Sequence, residues 1–287
     1  MVKKFIIAFI LIFITGLAFG LFYAIKLKTD PRQTKMPQKA QEVTLRFIEG
    51  WNTAQIASYL NYDGNRPQLA HIVNSLDFLA AQKQFSVKDY PLLASKPGET
   101  DLEGFLFPDS YRFYQSAITL ASGTPAEISN TIIKKMLDNF ILKFTPEMQQ
   151  QAEKQNLSIF QIITLASVLE KETGSTLAEK KTVAGIFYNR LKTGMPLQSD
   201  ATVNYATKKD LPSPTEADTK IDSPYNTYKY PGLPVGPICS PSLDSIIAAL
   251  YPDNNDYLYF LHDQKTGQAY YAKTYDEHLA NKYKYLK

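Results

Sequence analysis

The stretch from Ser158 to Gly174, SIFQIITLASVLEKETG, constrains the fold most because residue types assign both of its ends and its buried face. Ser158 and Gln161 have the spacing of a capping box, which satisfies two backbone donors where a helix begins. Gly174 suits the left-handed position that closes a helix. The stretch therefore predicts a helix of about four turns. Its broad apolar surface consists of Ile159, Ile162, Ile163, Ala166, Val168 and Leu169.

Glu170 extends this apolar surface at the end of the helix. It lies one turn beyond Ala166 and two turns beyond Ile163, whereas Lys171 and Glu172 point to other faces. A carboxyl group is thereby carried toward the core, where apolar neighbours are expected to raise its pKa. Charged residues near helix ends are more often simply solvated. The pattern by itself leaves both readings open, a solvated end residue and a catalytic acid/base.

Three motifs follow one another between residues 100 and 287. LEGFLFPDSYRFY comes before LASVLEKETG with FYNRLKTGMPLQSDATVNYA, and SPYNTYKYPGLPVGPICSPS comes last. Together they resemble the catalytic domain of the endolytic murein transglycosylases, the MltG or YceG-like family. The resemblance implies that Glu170, the first Glu of EKET, is the acid/base. It also implies cleavage of the MurNAc–GlcNAc bond within peptidoglycan strands, leaving 1,6-anhydroMurNAc ends, and a role in terminating nascent strands beside synthases such as penicillin-binding proteins.

Composition excludes several other classes. A net charge of +3, with no basic run punctuated by aromatic residues, argues against a nucleic-acid partner. The single cysteine, Cys239, cannot form an internal disulfide. The histidines are far apart in sequence and none belongs to an HExxH-type pair. We therefore expect neither a metal nor a cofactor.

The amino-terminal region predicts a membrane anchor within residues 1–28. Residues 5–25 are apolar apart from Thr15 and two glycines, and as a helix they extend about 31 Å, enough to span a bilayer. A cleaved signal peptide is the alternative, since Ala18-Phe19-Gly20 resembles a processing site. Basic residues are more numerous after the span than before it, which by itself predicts a cytoplasmic carboxyl-terminal domain. The resemblance implies the opposite, a single-pass protein of the inner membrane with an extracytoplasmic catalytic domain.

Residues 29–41 are polar and predict a linker, and residues 42–95 predict a small subdomain. Val43, Leu45 and Phe47 alternate as in a strand, a helix is expected to follow Gly50 up to about Leu60, and a second is expected over 67–81. This order resembles a LysM-like glycan-binding unit, although a structural spacer is an equal alternative.

Residues 96–287 predict a YceG-like catalytic domain of mainly helical character. In 102–114, a turn at Pro108-Asp109 is expected between two extended runs. Glu103 and Asp109 are candidate second carboxylates there, but roles in the core and the turn are favoured. Further expected elements are helices over 125–143, 146–155, 176–194, 200–205, 242–250 and 275–285, and a hairpin over 257–272. Helices with small antiparallel sheets make the fold class α+β.

Polar and aromatic residues in two loops are candidates for sugar binding. Gln198 lies in a polar loop, and Tyr225 and Asn226 precede the loop PGLPVGP. Tyrosine rings present apolar faces with a polar tip, which suits sugar rings. We assign Gln198, Tyr225 and Asn226 to substrate binding.

The chemistry depends on how many carboxyl groups act. Ordinary glycoside hydrolysis needs two, and the sequence offers one compelling candidate, Glu170. A lytic transglycosylase needs no water because the C6 hydroxyl of the muramic acid residue is the nucleophile, so one Glu can act first as acid and then as base. Two alternatives stay open: a water-using muramidase with Asp200 or Glu172 as the second carboxylate, and a glycan-binding scaffold without activity.

Overall fold

The computed structural model describes residues 15–23, 26, 41–61, 73–98, 100–118, 123–174, 176–209, 211–263 and 265–286. Residues 1–41 form one unit, of which 15–23 are helical, and residues 42–287 form a second, compact unit. In the parts of the chain that the structure describes, no helix is both long and apolar enough to cross a membrane. Most of the predicted anchor and linker lies outside the described residues, so both stay predictions.

The second unit begins with a strand whose partner comes from much later in the chain. Strand β1 (Glu42–Arg46) pairs antiparallel with β2 (Ser110–Tyr114), with Leu45 opposite Tyr111. Helices α1 (Thr53–Asn61) and α2 (Ser75–Gln84) lie between them in sequence. The predicted small subdomain thus shares its strand with residues beyond 95, and the boundary placed there stays a prediction.

The helices that follow begin at side-chain caps, which explains why residue types located their starts. Thr124 and Glu127 form a capping box, Thr145 accepts a hydrogen bond from the backbone of Met148, and Ser158 forms the predicted box with Gln161. Proline occupies the first position of two of them, where no backbone donor is needed. These helices are α3 (Pro125–Lys143), α4 (Pro146–Lys154) and α5 (Ile159–Glu172).

The carboxyl-terminal part alternates helices with a hairpin. Its elements are α6 (Leu177–Thr193), α7 (Asp200–Thr207), α8 (Leu243–Leu250), β3 (Tyr259–His262), β4 (Ala269–Ala272) and α9 (Tyr275–Tyr285). Gly194 ends α6 in the left-handed conformation, with φ of 71°, as predicted. Strands β3 and β4 pair antiparallel around a turn at Gly267. Among the described residues, two small antiparallel sheets accompany many helices, which confirms the α+β class.

Helix α5 lies at the centre of the core. It packs against α4, α6, α7 and α8, and its residues from Ile162 to Leu169 are all buried. Because helix α5 is apolar nearly all round, only a position in the core buries its apolar surface on every side. Its last turn emerges at the edge of this core, and that is where Glu170 lies.

Three local expectations are wrong. Gly174 does not close α5: the cap is Thr173 in an extended conformation, and its hydroxyl donates to the carbonyl of Leu169 at 2.6 Å. The first extended run expected around Pro108 is instead a turn, since Gly104 has φ of +85° and lies so close to Pro237 that a Cβ would be 2.5 Å from it. The helix expected over 67–81 does not include the described residues 73 and 74, because Asn74 caps a helix that begins at Ser75; residues 67–72 lie outside the described residues.

Candidate functional site

Glu170 lies at the end of α5 with a side chain that is 10% exposed. Ile163 and Ala166, which precede it along the same row of the helix, are fully buried. The helical spacing of Ile163, Ala166 and Glu170 therefore places the carboxylate at the margin of the core, as expected. One edge of Glu170 faces protein and the other faces a cavity.

The protein-facing oxygen, Oε2, accepts four hydrogen bonds. Lys180 Nζ donates at 3.0 Å and forms a buried ion pair with it. The backbone N–H of Ser242 donates at 3.0 Å and its hydroxyl at 2.5 Å, and the hydroxyl of Ser245 donates as well. Oε1, in contrast, has no hydrogen-bond partner among the described residues. One oxygen is thus fixed while the other is left for a ligand.

Two helix starts supply these donors. Ser242 is the N-cap of α8, so its backbone N–H and the positive end of α8 are directed at the carboxylate. Lys180 lies in the first turn of α6 with a side chain only 6% exposed, and it also donates to the hydroxyls of Ser242 and Ser245. The ammonium group, two hydroxyls and one carboxylate oxygen therefore form one closed network.

This network makes the expected protonation of Glu170 wrong. Burial raises the pKa of the Glu170 carboxyl, but hydrogen bonds from Ser242 and Ser245 and the charge of Lys180 outweigh burial and hold the pKa below its usual value. The local sequence indicated only the apolar neighbours of Glu170 on α5, whereas the donors that stabilise its ionised form come from α6 and the start of α8. In the free protein Glu170 is a carboxylate at neutral pH.

The cavity beside Glu170 has a volume of about 440 Å³. Its lining is mostly polar and comes from four segments of the chain. The lining residues are Glu49, Glu170, Thr173, Gly174, Lys180, Ser242, Leu243 and Asp244.

One wall of the cavity comes from the loop between β1 and α1. Gly50 has φ of +77°, and a Cβ on it would lie 3.7 Å from Cγ of Glu170. The N–H of Gly50 donates to the carbonyl of Ser240 at 2.9 Å, and the N–H of Ser240 donates to the carbonyl of Trp51 at 2.8 Å. These paired bonds hold the loop beside the start of α8 and place Glu49 at the cavity.

Sequence reasoning missed Glu49, Lys180 and Ser245 and recognised Ser242 only as a helix cap. A signal existed for Lys180: Val183, Ala184 and Phe187 follow it at helical spacing on the buried face of α6, just as Ala166 and Ile163 precede Glu170. No comparable signal marked Glu49, which lies in an exposed loop and reaches the site only through tertiary packing.

The three predicted substrate-binding residues are not among those lining this cavity. Gln198 is an exposed residue in a left-handed conformation, with φ of 51°. Tyr225 packs its ring against that of Tyr205, with 4.8 Å between centroids. Asn226 is fully buried, and its amide donates to the carbonyls of Thr219 and Ile221. Loop structure accounts for Asn226, and substrate binding by the three stays a prediction.

Other carboxylates named as candidates have structural partners away from the cavity. Glu172 accepts hydrogen bonds from the Ser199 hydroxyl and the Ala201 backbone, so it holds the start of α7, and burial raises its pKa. Asp200 accepts from the Tyr228 hydroxyl at 2.5 Å. Glu103 and Asp109 likewise serve structure, as favoured: Glu103 accepts from the backbone and hydroxyl of Thr53, and Asp109 accepts from the backbone of Ser110.

The chain matches the model of the YceG-like family over residues 22–284. It is 40% identical over 185 residues to the endolytic murein transglycosylase of Bacillus subtilis, covering 64% of this chain and 48% of the relative. It is 33% identical over 267 residues to the endolytic murein transglycosylase of Streptococcus pneumoniae, covering 86% of this chain and 45% of the relative. The chain thus spans about half the length of these curated relatives.

A solved structure supports the same relationship. The 2.6 Å crystal structure of a putative yceG-like protein from Listeria monocytogenes is similar with a TM-score of 0.69 at 34% identity. The similarity covers 83% of this chain and 75% of that one. The family match extends over nearly the whole chain and includes every residue around Glu170. The chain belongs to the YceG-like family.

Proposed function

We propose that this chain is an endolytic peptidoglycan lytic transglycosylase that cuts the MurNAc–GlcNAc bond within glycan strands and leaves 1,6-anhydroMurNAc ends. The observation that carries the proposal is Glu170: a carboxylate fixed through one oxygen, beside a polar cavity, whose other oxygen has no partner in the described part of the chain. The relatives in Bacillus subtilis and Streptococcus pneumoniae carry the name endolytic murein transglycosylase. Geometry and kinship therefore support the same reaction.

The ionised state of Glu170 suits the ring-closing half of this reaction. The C6 hydroxyl of the muramic acid residue attacks C1, and its proton must be removed as the bond forms. A carboxylate with a free Oε1 can accept that proton, while Lys180 and the two serine hydroxyls keep Oε2 in place. A nucleophile within the substrate is already near C1, which removes the entropic cost of recruiting water.

Product analysis tests this reaction directly. The full chain in detergent is incubated with glycan strands, and the new ends are analysed by mass spectrometry in water enriched in ¹⁸O. We expect ends lighter by one water than hydrolytic ends and free of the label. Labelled, hydrated ends would show instead that water is the nucleophile.

A water-using muramidase is the second candidate because the cavity holds more than one carboxylate. Glu49 and Asp244 line it together with Glu170, and a pair of carboxyl groups facing one substrate is the usual arrangement of glycoside hydrolases. The partners proposed earlier for such a mechanism, Glu172 and Asp200, are not among the lining residues. The ¹⁸O experiment separates the two reactions.

We further propose a single-pass protein of the inner membrane, anchored through residues 5–25, with residues 42–287 outside the cytoplasm. The apolar amino-terminal sequence and the location of the substrate support this placement. A LysM-like, glycan-binding role for residues 42–95, termination of nascent strands and partnership with penicillin-binding proteins belong to the same proposal. The test is a fusion of a reporter enzyme to the carboxyl terminus. We expect activity from a reporter that works only outside the cytoplasm. Activity from a reporter that works only inside the cytoplasm would contradict the orientation and the murein substrate.

A further inference from the structure

Cleavage of a glycosidic bond whose leaving group is a sugar hydroxyl needs an acid as well as a base. The leaving O4 must receive a proton as its bond to C1 breaks, because a sugar alkoxide is a poor leaving group. Glu170 is held as a carboxylate by Lys180 and by the start of α8, so in the free protein it has no proton to give. The proposed function therefore requires a proton source within reach of the same bond.

Glu49 is the other Glu among the residues that line the cavity. Its loop is fixed on both sides: β1 before it pairs with β2, and α1 after it begins at a cap where Asn52 and Gln55 exchange side-chain hydrogen bonds with each other's backbone. Between these points, the paired bonds with Ser240 hold the backbone against Glu170. A group on so constrained a loop is presented to the cavity in a defined place, as acid/base catalysis requires.

The charges facing Glu49 come from four elements. Glu49 is exposed overall, but partial burial at the cavity wall raises the pKa of its carboxyl, the charges of Glu170 on α5 and Asp244 on α8 raise it further, and those of Lys180 on α6 and Arg46 on β1 oppose the increase. The net direction is upward, opposite to that of Glu170. Two carboxyl groups in one cavity with pKa values displaced in opposite directions are typical of an acid and a base.

We infer that Glu49 is the general acid of this site and that Glu170 is its general base, so that two carboxyl groups divide the work otherwise assigned to Glu170 alone. The inference rests on the proposed lytic transglycosylase function and deepens it. It also gives the loop of the predicted LysM-like subdomain a catalytic role, because Glu49 belongs to residues 42–95.

The protons and electron pairs balance in one turnover. Glu49 gives its proton to the glycosidic O4, and the C1–O4 bond breaks with its electron pair going to that oxygen. Oε1 of Glu170 takes the proton of the C6 hydroxyl, and O6 forms the new bond to C1. The products are the shortened strand with a 1,6-anhydro ring and a strand with a free 4-hydroxyl. Exchange with solvent then returns a proton to Glu49 and removes one from Glu170.

Two substrates distinguish an acid from a residue that only supports the site. In natural strands the leaving group is the 4-oxygen of a sugar, which needs a proton. In a disaccharide with a 4-nitrophenyl group on the MurNAc C1, the leaving group is a stable phenolate that needs no proton. We expect Glu49→Gln to cut natural strands about 10² to 10⁴ times more slowly and to keep the nitrophenyl substrate within a few-fold of wild type. Glu170→Gln should lose activity on both substrates, because the base acts in the cleavage of each.

The pH profile and two further variants complete the test. The wild-type kcat/KM on strands should fall on the alkaline side as Glu49 ionises, and Glu49→Gln should lack that limb. Glu49→Asp should keep the limb at a reduced rate. Glu42→Gln, an exposed Glu on β1, is the matched control and should match wild type on both substrates. Thermal melts of every variant confirm folding.

The outcomes separate the inference from the function beneath it. A Glu49→Gln variant that cuts strands at the wild-type rate, or that loses both substrates equally while folded, overturns the acid role and leaves the lytic reaction standing. Failure of the wild-type chain to form 1,6-anhydro ends overturns the proposed function, and the assignment of Glu49 with it.

Discussion

At the scale of single residues, the decisive feature is a charge pair that no local pattern reveals. Glu170 and Lys180 are on different helices, each with a side chain at most 10% exposed, and their ammonium–carboxylate distance is 3.0 Å. The sequence predicted the burial of Glu170 correctly from helical spacing. Its protonation state was predicted wrongly, because the sign of the shift depends on donors that arrive only through packing of α6 and α8.

Glu170→Gln should lose both activity and stability. Activity should fall by about 10²-fold or more. The amide can still accept a hydrogen bond, but it removes the negative charge that compensates Lys180, whose ammonium also donates to Ser242 and Ser245 and stays buried, so we expect a loss of about 1–3 kcal/mol in the free energy of unfolding. Urea titration measures it, with Glu153→Gln, an exposed Glu on α4, as control. An unchanged or higher stability would contradict the pairing.

The stability difference between wild type and Glu170→Gln should depend on pH in a defined direction. The pKa of Glu170 in the folded protein lies below the ordinary value of 4.5, so ionisation favours the folded state. The advantage of the wild type is therefore complete above about pH 4.5 and decreases as the pH falls through the folded value. Unfolding curves at neutral pH and at progressively lower pH measure the difference, and a constant difference would show that the charge of Glu170 is not its source.

Lys180→Met should displace the acidic limb of the rate profile to higher pH. Without the ammonium, the pKa of Glu170 rises, because the charge and hydrogen bond of Lys180 are gone while burial remains. The base is then protonated over a wider range, and activity at a mildly acidic pH should fall more than activity at pH 8. Initial rates across pH check this, with Lys181→Met as the neighbouring control. A profile that only decreases in height, without moving, would limit Lys180 to structural support.

At the scale of elements, patterns located most helices, and the failures have physical causes. Capping signals at Thr124, Thr145 and Ser158 are local in sequence, so the starts of α3, α4 and α5 were predictable. The segment 102–107 was not, because its turn depends on close contact between Gly104 and Pro237. Likewise, the start of α1 is stabilised by Glu103 from a distant turn, a contact that no sequence window contains.

Glu103, which binds the start of α1, should make the stability of the protein depend on pH, and Glu103→Gln should reduce that dependence. Burial raises the pKa of Glu103 to about 7 in the folded protein, above the ordinary value of 4.5. The protonated form is thus favoured on folding, and stability decreases as pH rises between these values. The neutral amide still accepts from Thr53 and has no such loss. Thermal melts at pH 5 and pH 8 should therefore show a variant that gains more relative to wild type at pH 8 than at pH 5; an identical difference at both would contradict the assignment.

At the scale of the molecule, the predicted small subdomain and the predicted catalytic domain share a sheet, a core and a cavity wall. Strand β1 pairs with β2, and the buried residues Leu45 and Phe47 belong to the same apolar cluster as Tyr111 and Phe113. The boundary drawn at 95 came from the resemblance of residues 42–95 to a separate unit, and strand pairing over so long a sequence distance leaves no local sign. Residues 42–287 nevertheless form one compact unit.

Removal of residues 1–95 should therefore abolish cooperative folding rather than only weaken glycan binding. Residues 96–287 would expose the edge of β2, leave the backbone groups of Ser240 without the loop at Gly50, and uncover the face of α3 against which α2 packs. We expect residues 42–287 to melt in one sharp transition and residues 96–287 to show none, with no cleavage of strands. Circular dichroism melts and strand digestion measure both. A 96–287 fragment that melts sharply and still cuts strands would show that the two parts are independent domains and that Glu49 has no part in the reaction.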